Sequence, residues 1–199
     1  AALELWPPSD PERPRLLFRL GRARLNAEET GEDLLVEARD GLLGQGDRET
    51  AAEAEALLGF IAWSRGQGQQ ALEHDRHAVA VLEGAGPSRA KVHVLANLAG
   101  SLLERGEYDE AIRVGQQAVA MADDLGLKEL HLEELRAYGF MYVGLARVSS
   151  GDPGGVADLE HAVAICVRTN TPNTAVAYSY LVEALFGLGD LARALELYS

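Results

Sequence analysis

The chain has 199 residues, 47% hydrophobic and 25% charged, and its 31 acidic against 18 basic side chains give a net charge of −13. That length holds one large domain or one repeat array with a buried core, and the charge opposes direct binding to a phosphate backbone. The longest stretch without Asp, Glu, Lys or Arg, residues 169–182, contains Pro172 and has 14 residues, short of the ~20 apolar residues of a membrane span.

The chain opens Ala-Ala-Leu-Glu-Leu-Trp, with no initiator Met and no secretory signal pattern, and reads as a piece of a longer protein. Its single cysteine, Cys166, excludes an internal disulfide framework and fits a reducing cytoplasm. Arginine far outnumbers lysine, as a GC-rich bacterial genome would produce.

Residues 1–10 read as a linker. Trp6-Pro7-Pro8-Ser9-Asp10-Pro11 is stiff, with Asp10 placed to cap a helix and Pro11 at its first position. The helix that follows carries Arg13, Arg15, Arg19, Arg22 and Arg24. Two readings stand for this basic face: a solvated surface, or a dock for an acidic surface. Asn26-Ala27-Glu28-Glu29-Thr30 reads as extra turn after it. Further on, Val92, Leu95, Leu98, Ala99 and Leu102 recur at steps of three and four, and so do Ala111, Val114, Ala118, Met121 and Leu125. Arg105-Gly106-Glu107-Tyr108 is the turn between them, and Gly126 closes the second helix. Pro87, Pro153 and Pro172 fall where the apolar pattern breaks, and no period-two run suggests a strand.

Self-similarity organises the whole. Turn glycines at Gly66, Gly106, Gly151 and Gly189 are spaced 40, 45 and 38 residues apart. Seven residues before them stand Gly59, Ala99, Gly144 and Val182; five residues after them stand Ala71, Ala111, Val156 and Ala194. Small residues at both places let two antiparallel helices approach beside a tight turn, the period of a helical-hairpin solenoid.

These residues resemble the tetratricopeptide repeat. The clearest copy is Asn97-Leu98-Ala99, Leu102, Gly106-Glu107-Tyr108-Asp109-Glu110-Ala111-Ile112 and Ala118. It departs from the family at Gly115, where a large aromatic is usual. Leu58-Gly59, Gly66, Ala71-Leu72 and Ala78 form a second copy. Tyr178, Leu181, Gly189-Asp190, Ala194-Leu195 and Tyr198 form the last, and the copy from Tyr142 to Ala162 is one residue short in its second helix. The resemblance implies an all-α, right-handed superhelical solenoid of antiparallel helix pairs, about ten helices in all, with approximate repeats 11–46, 47–87, 88–127, 128–171 and 172–199, the last truncated. Repeats near 40 residues are similar to those in the sensor regions of large bacterial signalling ATPases and nucleotide-cyclase-type regulators.

In that family the first helix of each pair lines a concave groove that holds a peptide or protein surface. Carried over by position, the groove would present Phe60 and Trp63, then His93, Asn97 and Glu104, then Tyr138 and Met141, then Glu183 and Phe186. Aromatic side chains make good anchors there. Phe60 and Trp63 serve equally well as packing between neighbouring pairs, and the uncharged run 137–146 favours packing for Tyr138 and Met141.

No catalytic or cofactor site is expected. His74 and His77 with Asp75 sit at helical spacing but lack the third and fourth ligands of a zinc site, and read as surface histidines. The glycine clusters lack the strand and Lys-Ser/Thr ending of a phosphate loop. The chain therefore reads as a non-catalytic interaction or sensor module with a protein or peptide partner. Two alternatives stand beside that reading. One is a small-effector-binding regulatory domain. The other is self-association, as a homodimer through an apolar C-terminal end at Leu188, Leu191 and Leu195.

Overall fold

A computed structural model describes residues 7, 10–28, 30–126 and 130–197, apart from the side chains of residues 130 and 131. The expectations for Trp6, Pro8, Ser9, Tyr198 and the start of the fourth repeat at 128 fall outside these residues. Within them the chain forms ten helices and no strand. The chain divides into two compact units, residues 1–86 and 87–199.

The first unit holds α1 (Arg13–Glu28), α2 (Glu32–Gln45), α3 (Arg48–Ser64) and α4 (Gly68–Val81). Each packs on the next in the chain, and α1 also touches α3. Its core is Leu17, Phe18, Leu25, Leu35, Ala38, Leu42, Ala51, Ala54, Leu58 and Ile61, the apolar stripes that removal from water drives together. Two local expectations are corrected. The helix begins at Arg13, because Asp10 instead accepts the Glu12 N–H at 2.8 Å and organises Pro11-Glu12 as a turn. Asn26, Ala27 and Glu28 belong to α1 rather than to an added turn, and the reversal is made at Gly31.

The second unit holds α5 (Arg89–Glu104), α6 (Tyr108–Leu125), α7 (Leu130–Ser149), α8 (Gly155–Thr169), α9 (Thr174–Gly187) and α10 (Leu191–Glu196). Successive helices pack together, and α7 also packs on both α5 and α9. The first helices of the pairs, α5, α7 and α9, therefore lie side by side. Val92, Ala96, Leu102, Ala118, Leu159, Ile165 and Leu185 are enclosed between the layers.

The expected turns are present. At Gly106 (φ 75°) the glycine N–H reaches the Leu103 carbonyl at 2.9 Å and the Glu107 N–H reaches the Leu102 carbonyl at 2.9 Å. This pair of bonds closes a helix on a left-handed residue, which only glycine adopts without steric cost. Asp47, Ser88 and Asp190 cap α3, α5 and α10 through their side chains.

Gly59 fits its expected role, since a Cβ there would meet Asp75 Oδ1 at 2.9 Å. In the fourth pair the partner of Gly144 is Gly155, not Val156. A Cβ on Gly144 would lie 2.7 Å from the Gly155 carbonyl oxygen, and Val156 is only partly buried. The small residue here stands four positions after the turn glycine Gly151 rather than five. Gly115 departs from the usual aromatic for an equally local reason. It lies under Val143 of α7, whose Cγ2 an added Cβ would meet at 2.6 Å.

Candidate binding surfaces

In the first unit, α3 presents two different faces. Phe60 and Trp63, three residues apart and therefore neighbours on the helix surface, are 50% and 48% exposed, with ring centroids 5.7 Å apart. Ala56, one turn before Phe60, is enclosed, and Glu53 is half-buried. A different side of the helix carries Glu55, only 2% exposed. One of its oxygens accepts from Nδ1 of His74 at 2.8 Å and Nδ1 of His77 at 2.9 Å; the other accepts from Nη1 of Arg39 at 2.9 Å.

The carboxylate thus ties α2, α3 and α4 together. Burial alone would raise its pKa, but the hydrogen bonds from His74, Arg39 and His77 outweigh it and hold the group below its ordinary value. His74 and His77 stay at the surface, His77 exposed and His74 partly so, and each also donates to the buried carboxylate. The pattern leaves them pointing at one carboxylate, and among the described residues no group of three or more His, Cys, Asp or Glu is arranged to hold a metal ion.

The basic first helix is partly engaged within its own unit. Arg13 pairs with Glu37 at 3.0 Å, Arg15 with Asp47 at 2.9 Å, and the Arg22 guanidinium lies 5.3 Å from the Phe18 ring. Two of the five arginines already have carboxylate partners, so a basic face for docking is smaller than the sequence suggests.

In the second unit the expected residues sort by depth. His93 and Asn97 on α5 are partly buried, and Glu104 at its end is exposed. Burial and the neighbouring Arg89 charge push the His93 imidazole down to about 4. On α7, Tyr138 is partly buried, and burial, followed by the Glu134 charge, raises the pKa of its hydroxyl. Met141 is 1% exposed and belongs to the core, which corrects its placement on a binding face. On α9, Val176, Ser179, Glu183 and Phe186 form an exposed stripe at helical spacing, with Phe186 51% exposed.

The sequence list omits Tyr142 and Tyr180. The Tyr142 ring stacks on Tyr138 with centroids 6.1 Å apart and lies 6.2 Å from the Tyr180 ring, so one aromatic run joins α7 to α9. Gly100 of α5 lies beneath the Tyr142 ring, which an added Cβ would approach to 2.9 Å. The signal was available: Asn97, Tyr142 and Tyr180 each stand nine residues before a turn glycine. Burial, followed by the charges of Glu104 and Glu183, raises the Tyr180 pKa. Cys166 is enclosed and its thiol is pushed up by burial, the setting of an unreactive core side chain. Among the described residues no helix is long and apolar enough to cross a membrane.

Residues 50–124 match the family model for the tetratricopeptide repeat. No curated protein matches the sequence. Among solved structures, the chain is similar to the tetratricopeptide-like repeats of a kinesin light chain from Podosopora anserina, at 21% identity and a TM-score of 0.68, covering 94% of this chain and 92% of that one. It is similar to a Rap protein solved with the Competence and Sporulation Factor, at 18% identity and a TM-score of 0.75, over 94% of this chain and 52% of that one. It is also similar to a signal transduction ATPase with numerous domains from Pyrococcus horikoshii that carries a tetratricopeptide repeat sensor. There the identity is 14% and the TM-score 0.64, over 93% of this chain and 29% of the other.

Proposed function

For a chain whose residues 50–124 are tetratricopeptide repeat and whose helix pairs share that fold, we propose a non-catalytic protein-interaction module. It acts in the cytoplasm as the sensor part of a larger signalling protein. In this reading residues 11–199 are successive copies of one unit, and the first helices carry the contacts: Phe60 and Trp63 on α3, His93, Asn97 and Glu104 on α5, Tyr138 on α7, and Glu183 and Phe186 on α9. The partner is a peptide or a protein surface. The Rap protein supports the reading as an example of the fold complexed with a factor, and the signal transduction ATPase as an example of a repeat sensor.

The observation that carries it is the exposure of large aromatic side chains on first helices. Phe60, Trp63 and Phe186 are each about half exposed on helices whose other faces are well buried. Water contact on that scale is unfavourable for rings that would each bury about 150–250 Å² if covered, and aromatic anchors surrounded by polar neighbours are a common basis of recognition.

Photo-crosslinking tests it. A benzophenone side chain at position 60 or 186 is expected to capture a defined partner in cells of the source organism, and one at Val167 on the second helix α8 is not. Equal capture from all three positions, or none from 60 and 186, would reject the reading.

A further inference from the structure

The first unit sets cations beside aromatic rings in a way that its own ion pairs leave open. Arg13, Arg15, Arg39 and Arg65 pair with carboxylates, and Arg48 donates to the Val81 and Glu83 carbonyls. Among the described residues, Arg19 and Arg22 of α1 are exposed and have no such partner. No Asp or Glu stands within one turn of either along α1. The Arg22 guanidinium lies 5.3 Å from the centre of the Phe18 ring, a contact that positions the group without satisfying its N–H donors.

Register places these cations beside the aromatic pair of α3. Gly21 and Gly59 are equivalent positions, each facing the second helix of its own pair. A Cβ on Gly21 would meet Leu35 of α2 at 2.9 Å, and one on Gly59 would meet Asp75 of α4 at 2.9 Å. Two reversals make α1 and α3 parallel, and the two helices touch side by side. Arg19, two positions before Gly21, is therefore level with Leu57, and Arg22, one position after it, is level with Phe60. Leu57 is partly buried, whereas Phe60 and Trp63 are about half exposed with ring centroids 5.7 Å apart. Packed helix axes lie about 8–10 Å apart, a gap that arginine side chains reach across. Glu53 comes one turn earlier on α3, level with Arg15, which Asp47 already holds.

Resting on the interaction reading above, we propose that the α1–α3 face takes an acidic, apolar segment of a partner protein. A carboxylate of that segment sits against Arg19 and Arg22, and a neighbouring apolar side chain covers Phe60 and Trp63. Charge complementarity selects the acid, and the planar guanidinium fork matches a carboxylate with two parallel hydrogen bonds. A nucleic-acid backbone is also anionic, but the net charge of −13 opposes a long polyanion. A short acidic segment meets only the local cations.

The test titrates the full chain at physiological salt with peptides of three blocks each, Gly-Glu-Leu-Glu, Gly-Gln-Leu-Gln or Gly-Glu-Ser-Glu, and with a DNA duplex of about twenty base pairs. Amide NMR shifts are the readout. The acidic leucine peptide is expected to bind most tightly, by about fivefold or more, and to shift residues of α1 and α3. Arg19→Gln with Arg22→Gln is expected to weaken it about tenfold, and Arg19→Lys with Arg22→Lys less, since the charge stays and only the fork is lost. Arg24→Gln with Arg105→Gln, which removes equal charge from exposed arginines outside the face, changes it less than about twofold. Equal weakening by both Gln pairs would reduce the effect to overall charge and overturn the proposal. Equal binding of the serine peptide would remove Phe60 and Trp63 from the site, and equal binding of the duplex to this face would make the occupant a polyanion; either overturns it. If the Gln peptide shifts the face as strongly, the acid preference falls and the interaction reading stands. If no peptide shifts it, the proposal falls, and capture from position 60 decides the interaction reading separately.

Discussion

Gly144 of α7 and Gly155 of α8 meet backbone to backbone. A Cβ on Gly144 would lie 2.7 Å from the Gly155 carbonyl oxygen and 2.8 Å from Cγ of Leu159. Neither neighbour can yield freely, since one is main chain and the other is fully enclosed. Gly144→Ala is therefore expected to destabilise the protein by about 1–3 kcal/mol. Gly44→Ala, at a helical position with nothing within 4 Å of the added carbon, is expected to be neutral or stabilising by up to about 1 kcal/mol, because alanine loses less backbone freedom than glycine in a helix. Urea unfolding of both variants beside the parent checks the contrast, and equal effects would show that the α7–α8 contact is looser than described.

The buried carboxylate of the first unit predicts a response to acid. The folded pKa of Glu55 lies below its ordinary value of 4.5. Its ion pair and hydrogen bonds therefore contribute fully above pH 4.5 and are lost as the pH falls through the depressed folded value. Glu55→Gln is expected to cost about 1–3 kcal/mol at neutral pH, because it removes the buried charged acceptor shared by Arg39, His74 and His77, leaving Arg39 only its pair with Asp40. It should also flatten the acid limb of the stability profile. Unfolding measured from pH 7 down to pH 3 reads both, and a variant with the parental acid limb would remove Glu55 from the account of the first unit.

His93 acts in a different window. Its folded value of about 4 lies below the ordinary 6.5, so the unfolded chain binds the proton more readily. The neutral imidazole's stability is fully present above pH 6.5 and is lost as the pH falls from 6.5 toward 4. His93→Gln, which cannot protonate, is expected to lose about 1–3 kcal/mol less than the parent between pH 7.5 and pH 4.5. Parallel profiles for the two proteins would place the proton-linked loss at another group.

Much of this was legible in the residues themselves. Turn glycines near a 40-residue period marked the pairs, since a left-handed residue at each reversal leaves glycine as the natural choice, and Gly66, Gly106, Gly151 and Gly189 all have positive φ. The first-helix stripe of α9 was readable because Val176, Ser179, Glu183 and Phe186 follow helical spacing. Other features depend on chain segments far apart in sequence. Nothing local to Glu55 shows that Arg39 and two histidines about 20 residues later will converge on it. Met141 and Tyr142 are adjacent on one helix, yet one is enclosed and the other joins an aromatic run. The crossing of neighbouring helices makes that choice, and a single helix's periodicity does not contain it. Gly115 reads as a departure from the repeat until Val143 is seen above it.

The division of labour between first and second helices is tested most directly by comparing two surface triplets against the cross-linked partner. One is Phe60→Ser, Trp63→Ser and Phe186→Ser, and the other is Val36→Ser, Leu43→Ser and Val167→Ser, drawn from α2 and α8 at exposures of 36% to 54%. All six side chains are partly solvated, so both variants are expected to keep the parental melting temperature within a few degrees. The first triplet should abolish partner binding, and the second should leave the dissociation constant within about threefold of the parent. Loss of binding in both, or in the second alone, would contradict the assignment of recognition to the first helices.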